Sequence, residues 1–278
     1  MASVTGRIGQ IKQPKGGYIP PSKFETIVID DSSTLNPAEN VHGSVIGLAV
    51  DYLTRFATGT NIKDAFNISL QGAIIAERLG NKGSADVAKD LLKGINGLDD
   101  NSIVNACKLV TFDVWRRNFI SAMRAKGYKE TNPDKDTIEN IQTLVKRNIA
   151  FLEKYGPVTK DGFTFEPIIG NKEDYTNMIQ TGKGTFGGYT KTVDSGDGDF
   201  LTTDTLWDFK VLKSKLTTKH TLQLLMYWIM GQHSGQEIFK CITKLGIFNP
   251  RLNTVYLLDI SKVSPDIIRL VEDEVICY

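Results

Sequence analysis

The chain has 278 residues, 41% of them hydrophobic, and its 33 basic and 32 acidic side chains give a net charge of +1. This length and composition exclude a disordered chain, so we expect one large domain or a core with an insertion. Because the charge is balanced, a polyanionic partner would have to bind a local basic patch rather than respond to the overall field.

Cysteine usage and hydropathy restrict the cellular setting. Cys107, Cys241 and Cys277 lie far apart with no C-x-x-C spacing, which predicts reduced structural thiols rather than a zinc or iron–sulfur site. No stretch resembles a signal peptide, and none approaches the roughly 18 to 20 apolar residues of a membrane span. We therefore expect a soluble, cytoplasmic protein with no membrane partner.

The first half of the sequence is predicted to be mostly helical. Residues 1–36 form a Gly/Pro-punctuated arm, ordered from about residue 23, with the β-rich stretch "FETIVID". Pro37 is suited to the first turn of a helix covering 37–58, which includes His42. Residues 59–157 contain further amphipathic stretches with helix-start residues such as Asn, Ser or Asp, and we interpret them as a helical insertion.

The second half, residues 158–278, has short β-like runs broken by turns. "FTFEPIIG", "GDGDFLTT" and "TLWDFKVLK" precede the helix "TTKHTLQLLMYWIMGQ", and "CITKLGIFN" and "NTVYLLDIS" follow it. A closing helix begins near Pro265. The predicted order is β-β-β-α-β-β-α, a mixed sheet with helices.

The stretch "TGKGTFGGYTKTVDSGDGDFLTTDTLWDFKVLK" allows two interpretations. Gly182, Gly184 and Gly187 form G-x-G-x-x-G, but no strand precedes them and no helix follows, as a dinucleotide site requires. A protein kinase would need a catalytic-loop Asp and a D-F-G ligand after Lys210, and neither is present. These glycines therefore indicate a turn before a hairpin.

The second half of the stretch indicates a metal site. The period of two places Asp208 and Lys210 on one face of a strand, opposite Trp207 and Phe209. The preceding tight turn would bring Asp199 beside Asp208. Two adjacent carboxylates repel unless a cation lies between them, and oxygen ligands suit Mg²⁺ or Mn²⁺. A hairpin with solvated charges remains the alternative.

The order G-D, D-x-K and then Q-x-x-x-Y resembles the PD-(D/E)xK nuclease superfamily, in particular its RecB-like exonuclease branch. Asp199, Asp208 and Lys210 match the core motif, and Gln223 and Tyr227 match the extra helix motif at i and i+4. The resemblance covers His42 and residues 164 to about 260. It implies a restriction-endonuclease-like α/β (α+β) core, a mixed β-sheet flanked by helices with a large helical insertion.

The resemblance also implies an activity. It predicts an Mg²⁺- or Mn²⁺-dependent deoxyribonuclease that cuts as an exonuclease does, with metal ligands from Asp199, Asp208, the Phe209 carbonyl and His42. Asp199, Asp208, Lys210, Gln223 and Tyr227 would be catalytic, and Gln223 and Tyr227 would also bind substrate. Two departures are Ala38, where some relatives have glycine, and Gly198 in place of the proline. Glu166 could add a carboxylate.

DNA is the expected partner, by analogy with the family alone. In the insertion, "VWRRNFISAMRAKGYK" interleaves basic and aromatic residues, so Arg116 and Arg117 are candidates for binding phosphates, with a solvated helix face as the alternative. A homo-oligomer and protein partners in DNA processing or phage-related pathways remain open. The rival from another class is a non-catalytic DNA- or protein-binding factor on a nuclease scaffold.

Overall fold

The structure is a computed structural model that describes residues 2–29, 31–165 and 187–278. Glu166, Gly182 and Gly184 lie outside the described residues. The chain divides into two compact units. Met1–Ile29 with Leu152–Tyr278 form what we call the sheet unit, and Asp30–Phe151 form the helical unit.

Strands and helices are numbered in chain order. The strands are β1 (Ala2–Ser3), β2 (Glu25–Val28), β3 (Lys160–Thr164), β4 (Val193–Ser195), β5 (Asp197–Leu201), β6 (Thr205–Phe209), β7 (Lys244–Asn249) and β8 (Thr254–Asp259). The helices are α1 (Val4–Gln10), α2 (Gly43–Ala57), α3 (Ile62–Ala65), α4 (Asn67–Arg78), α5 (Ser84–Lys93), α6 (Asp100–Leu109), α7 (Asp113–Arg117), α8 (Phe119–Ala122), α9 (Lys135–Tyr155), α10 (Thr218–His233) and α11 (Pro265–Leu270).

The sheet unit is a mixed α/β structure, as the sequence predicted at this coarse level. Its six-stranded sheet has the order β2-β8-β7-β6-β5-β3, and β1 pairs with β4 in a separate ladder. β6 and β7 are parallel, whereas the other neighbouring pairs of the six-stranded sheet are antiparallel. Parallel neighbours need a crossover, and α10 provides it while packing on both strands.

The centre of the sheet unit explains why its strands are rich in apolar residues. The first four residues of β6 are buried, as expected for a strand covered on both faces. Trp207 is 2% exposed, and its indole N–H donates to Thr202 Oγ1 at 3.0 Å. The Trp207 ring also lies over Gly246, where a Cβ atom would overlap it. The central strands and α10 therefore form one continuous core.

The predicted disorder of the N-terminal arm is wrong. β1 pairs with β4, and α1 packs against α10 with Val4 and Ile8 buried. Ser3 caps α1 by accepting the backbone N–H of Gly6 at 3.1 Å. The spacing of Val4 and Ile8, one helical turn apart, supplies an apolar stripe that the glycines obscured.

The predicted start of the helix at Pro37 is also wrong, because α2 begins at Gly43. The backbone N–H groups of Asn36 and Asn40 donate to side chains near the start of α9, Asn140 Oδ1 at 2.7 Å and Thr137 Oγ1 at 3.1 Å. These bonds keep the segment before His42 out of a helical conformation.

The helical unit contains a buried carboxylate. Asp113 is 1% exposed and accepts hydrogen bonds from the hydroxyls of Tyr52, at 2.5 Å, and Ser69. Burial raises the pKa of Asp113, although both hydroxyls and Arg117 act in the opposite direction. This network links α2, α4 and α7.

An ion pair joins the two ends of the helical unit. Arg147 Nε and Nη2 donate to the two carboxylate oxygens of Asp31 at 2.6 and 3.0 Å. The paired guanidinium is the main cause of a lowered pKa at Asp31.

Within the described residues, no helix is both long enough and apolar enough to cross a membrane.

Candidate functional site

The β5–β6 hairpin positions the predicted carboxylates at one edge of the core. Phe200 pairs with Trp207 in the antiparallel register, so the next step outward brings Asp199 to the level of Asp208. At this level a side chain also joins the two strands, because Asp199 Oδ2 accepts the backbone N–H of Phe209 at 2.5 Å. A side-chain-to-backbone hydrogen bond thus closes this end of the hairpin.

Asp208 and Lys210 point to the same side of β6 and contact each other. Lys210 Nζ lies 2.7 Å from Asp208 Oδ2, and the two side chains are 21% and 5% exposed. This short ion pair compensates the buried Asp208 carboxylate, and both the charge and the hydrogen bond of Asp208 act to raise the pKa of Lys210. The two predicted D-x-K side chains are therefore in contact.

The charges of three carboxylates raise the pKa of Lys210. Burial alone would lower the pKa of Lys210, but the charges of Asp208, Asp199 and Asp197 together raise it. Asp197 lies two residues before Asp199 on β5, and hence on the same face of the strand. Three carboxylates are thus within electrostatic reach of the Lys210 ammonium group.

Gln223 and Tyr227 lie one turn apart on α10, as predicted. Gln223 Nε2 donates to Tyr227 Oη at 2.9 Å, and the residues are 8% and 2% exposed. Burial, followed by the charges of Asp197 and Asp208, raises the pKa of Tyr227 well above its ordinary value. The Q-x-x-x-Y pair is thus within electrostatic reach of the carboxylates.

Sequence reasoning missed two residues of this site, Asp197 and His220. Burial and the charge of Lys210 lower the pKa of His220, with Asp208 acting in the opposite direction. His220 Nδ1 accepts the backbone N–H of Thr217 at 3.1 Å, which caps α10 and leaves Nε2 to hold the proton of the neutral ring. Spacing could have identified both residues. Asp197 is two residues before Asp199, on the same face of a strand, and His220 is three residues before Gln223, on the same side of a helix.

The glycine in place of the proline before Asp199 has a packing explanation. A Cβ atom at Gly198 would overlap the ring of Phe163, which faces it across the β3–β5 pair. The Phe163 ring in turn contacts Tyr227 edge to face, with centroids 5.8 Å apart. Phe163 occupies the space that a proline ring would need.

Three predicted site residues belong to the helical unit. His42 is the N-cap of α2, where its Nδ1 accepts the N–H of Ser44 at 3.3 Å and lies 2.7 Å from Ser44 Oγ. Arg116 Nε donates to Gln71 Oε1 at 3.2 Å, and Arg117 Nε lies 3.7 Å from Asp113 Oδ2. Each of the three thus contacts a neighbour within its own unit.

The donors available for a metal are few but chemically uniform. In the part of the chain that the structure describes, no three His, Cys, Asp or Glu side chains are grouped as a metal-ligand set. The oxygens of Asp199 and Asp208 and a backbone carbonyl are nevertheless the hard ligands that Mg²⁺ and Mn²⁺ prefer.

Comparisons with protein-family models, with curated proteins and with solved structures gave no significant match. The interpretation of this site therefore depends on its residues and their geometry.

Proposed function

We propose that the protein is a metal-dependent deoxyribonuclease with a restriction-endonuclease-like core, acting in the manner of an exonuclease. The main support is the pairing of Asp208 with Lys210 beside Asp199 at the end of the β5–β6 hairpin. The choice of DNA over RNA depends on the motif resemblance.

The argument for a cation begins with Asp208. Its side chain is 5% exposed, and its Oδ2 lies 2.7 Å from the Lys210 ammonium group. The charges of Asp199 and Asp197 also act on Lys210, so three carboxylates lie near one another, and adjacent carboxylates repel unless a cation lies between them. A divalent cation beside these carboxylates would offset that repulsion.

The residues that would hold Mg²⁺ or Mn²⁺ are Asp199, Asp208 and the carbonyl of Phe209. The N–H of Phe209 points to Asp199, and the carbonyl of a strand residue shares the direction of its N–H. A cation bound there would lower the pKa of a bound water and offset charge on the phosphate.

The side chains of the protein have roles that follow from their protonation. The raised pKa of Lys210 keeps it an ammonium at neutral pH, so it acts as a donor that orients water and stabilises the phosphate rather than as a base. Tyr227 likewise keeps its proton, and Gln223 fixes the position of its hydroxyl oxygen. Together they would hold the substrate and the site.

The test is cleavage of labelled linear single-stranded, linear double-stranded and closed circular DNA with Mg²⁺, Mn²⁺ or EDTA. Wild type should degrade the linear substrates only with metal, and Asp208→Asn and Lys210→Met should each lose activity. A matched control comes from Asp204, in the turn of the same hairpin, and Lys244, at the start of β7. Lys244 Nζ also lies 2.7 Å from a carboxylate oxygen, that of Asp204, but this pair is 38% and 45% exposed. Asp204→Asn and Lys244→Met should cleave like wild type.

Metal binding provides a second measurement that does not depend on turnover. At a hundredfold excess over its Kd, a cation that binds only the folded state adds about 2.7 kcal/mol of stability. Mn²⁺ should therefore raise the Tm of wild type and of Asp204→Asn, but not that of Asp208→Asn. Absence of both cleavage and stabilisation would favour a non-catalytic binding factor.

A further inference from the structure

The helical unit contains a cavity of about 430 Å³, which falls in the size range of small-molecule sites. The turn after α4, the α7 helix and the segment that follows α8 surround it. Its lining includes the charged residues Lys82, Lys126, Lys129 and Glu130 and the half-buried aromatic residues Trp115 and Tyr128. Nothing in the proposed nuclease site involves these residues.

The cavity has a positive charge that neighbouring acids do not neutralise. Within the described part of the chain, the ammonium groups of Lys82, Lys126 and Lys129 form no ion pair or hydrogen bond. The only acidic lining residue, Glu130, accepts the backbone N–H of Gly127 at 3.1 Å. This arrangement favours an anionic ligand.

Other lysines of the same unit behave differently. Lys89 pairs with Asp86 at 3.0 Å, and Lys93 pairs with Asp90 at 2.9 Å, each across one helical turn. These four residues lie on the exposed face of α5 and outside the cavity lining. They provide a reference for lysines that contribute only to the surface.

Aromatic side chains supply a second kind of contact. Trp115 and Tyr128 are half-buried at the cavity wall. The Tyr128 ring stacks on Phe112 with centroids 5.7 Å apart and an interplanar angle of 27°, which fixes its orientation. A flat ring of a ligand can stack on such a surface, and base stacking on aromatic residues contributes about 1–3 kcal/mol.

We propose that this cavity binds a nucleoside phosphate, with the base against Trp115 or Tyr128 and the phosphate at the lysines. The ligand is either a free nucleotide or one nucleotide unit of a single strand. The predicted phosphate-binding residues Arg116 and Arg117 instead contact Gln71 and Asp113. The site is independent of the carboxylates of the sheet unit, so it does not require the nuclease proposal.

The experiment is titration calorimetry of the full chain in EDTA, which prevents metal-dependent cleavage. The probes are adenosine monophosphate, adenosine, inorganic phosphate and a short single-stranded oligonucleotide. Adenosine monophosphate should bind, with adenosine and phosphate about tenfold weaker or more, because each lacks one of the two kinds of contact. Binding of the oligonucleotide alone, if lost in the lysine variant below, would identify a strand as the source of the nucleotide.

Two double variants with the same change in charge test the location. Lys126→Glu with Lys129→Glu should weaken binding about tenfold or more, whereas Lys89→Glu with Lys93→Glu should change it little. All four side chains are exposed, so both proteins should fold.

Three results would overturn the proposal. The first is no binding of any probe, and the second is an equal loss in both lysine variants, which would indicate general charge attraction. The third is unchanged binding in Lys126→Glu with Lys129→Glu, which would place the probes outside this cavity. The cleavage assay tests the nuclease proposal, and calorimetry in EDTA tests the nucleotide site. Failure of one proposal can therefore be distinguished from failure of the other.

Discussion

Phe163 packs its ring against the backbone of Gly198, in the space where a side chain at residue 198 would begin. The contact lies one residue before Asp199 and one ring away from Tyr227. It explains why the residue before Asp199 is glycine and not the proline of the motif that this segment resembles.

Replacing that glycine should therefore be costly. We expect Gly198→Ala to lower the free energy of unfolding by about 1–3 kcal/mol, because overpacking forces the ring or the strand to move. Urea denaturation measures the change. Gly9→Ala on α1 is the control, since nothing lies within 4 Å of a Cβ atom there.

The same pair can be tested by a double-mutant cycle. In a Phe163→Leu background the penalty of Gly198→Ala should shrink by about 1 kcal/mol or more, because the two substitutions are in contact. Strictly additive penalties would show that Phe163 is not the obstacle.

Lys210→Met should destabilise the protein in EDTA by about 3 kcal/mol, because it leaves the buried Asp208 carboxylate without a compensating charge. Lys244→Met removes an equally short but exposed contact and should cost no more than about 1 kcal/mol. Urea denaturation at neutral pH compares the two. Equal losses would mean that burial of Asp208 does not determine the cost.

The pKa of His220 should lie below its ordinary value of 6.5, because burial and the Lys210 charge both disfavour the imidazolium. Lys210→Met should raise this pKa. NMR titration of the imidazole protons is practicable, since the chain has three histidines. An unchanged pKa in the variant would show that Lys210 does not act on this ring.

The His220 shift also predicts a pH dependence of stability. A base with a depressed pKa in the folded state contributes stability above the unfolded value of about 6.5, and that contribution is lost as the pH falls. His220→Gln should therefore reduce the loss of stability on acidification below that pH. Parallel curves for wild type and variant would contradict the assignment.

Tyr227→Phe keeps the ring and removes one hydrogen bond, the one from Gln223 Nε2. We expect a loss of about 1 kcal/mol in unfolding free energy. Because the pKa of Tyr227 is raised well above 10, the phenolate absorbance gained on titration to about pH 12 should be the same in both proteins. A smaller amplitude in the variant would show that Tyr227 ionises.

Local sequence patterns were sufficient to predict which residues come together in the hairpin and on the α10 helix. The two-residue period placed Asp208 with Lys210, and the i, i+4 spacing placed Gln223 with Tyr227, because strand and helix geometry alone determine these relations. The β6-α10-β7 crossover follows from the same alternation of patterns.

What the sequence did not reveal depends on distant partners. The course of the chain before α2 is set by Asn36 and Asn40 bonding to residues near the start of α9, about a hundred positions later. Gly198 depends on Phe163, from another strand, and α1 depends on its packing against α10. The bonds of Asn36 and Asn40 have no local signature, and the glycines obscure the apolar stripe of α1, so the helix start and the arm were predicted wrongly.

The bond between Asp31 and Arg147 bears on how the sheet is completed during folding. β2 pairs with β8, so Glu25 must find Leu257 across nearly the whole chain. The entropy of closing a loop rises with its length, by about 0.6 kcal/mol for each doubling. A helical unit that has already folded holds residues 31 and 147 together, so it removes most of its own length from that loop. We infer that early folding of the helical unit accelerates the pairing of β2 with β8.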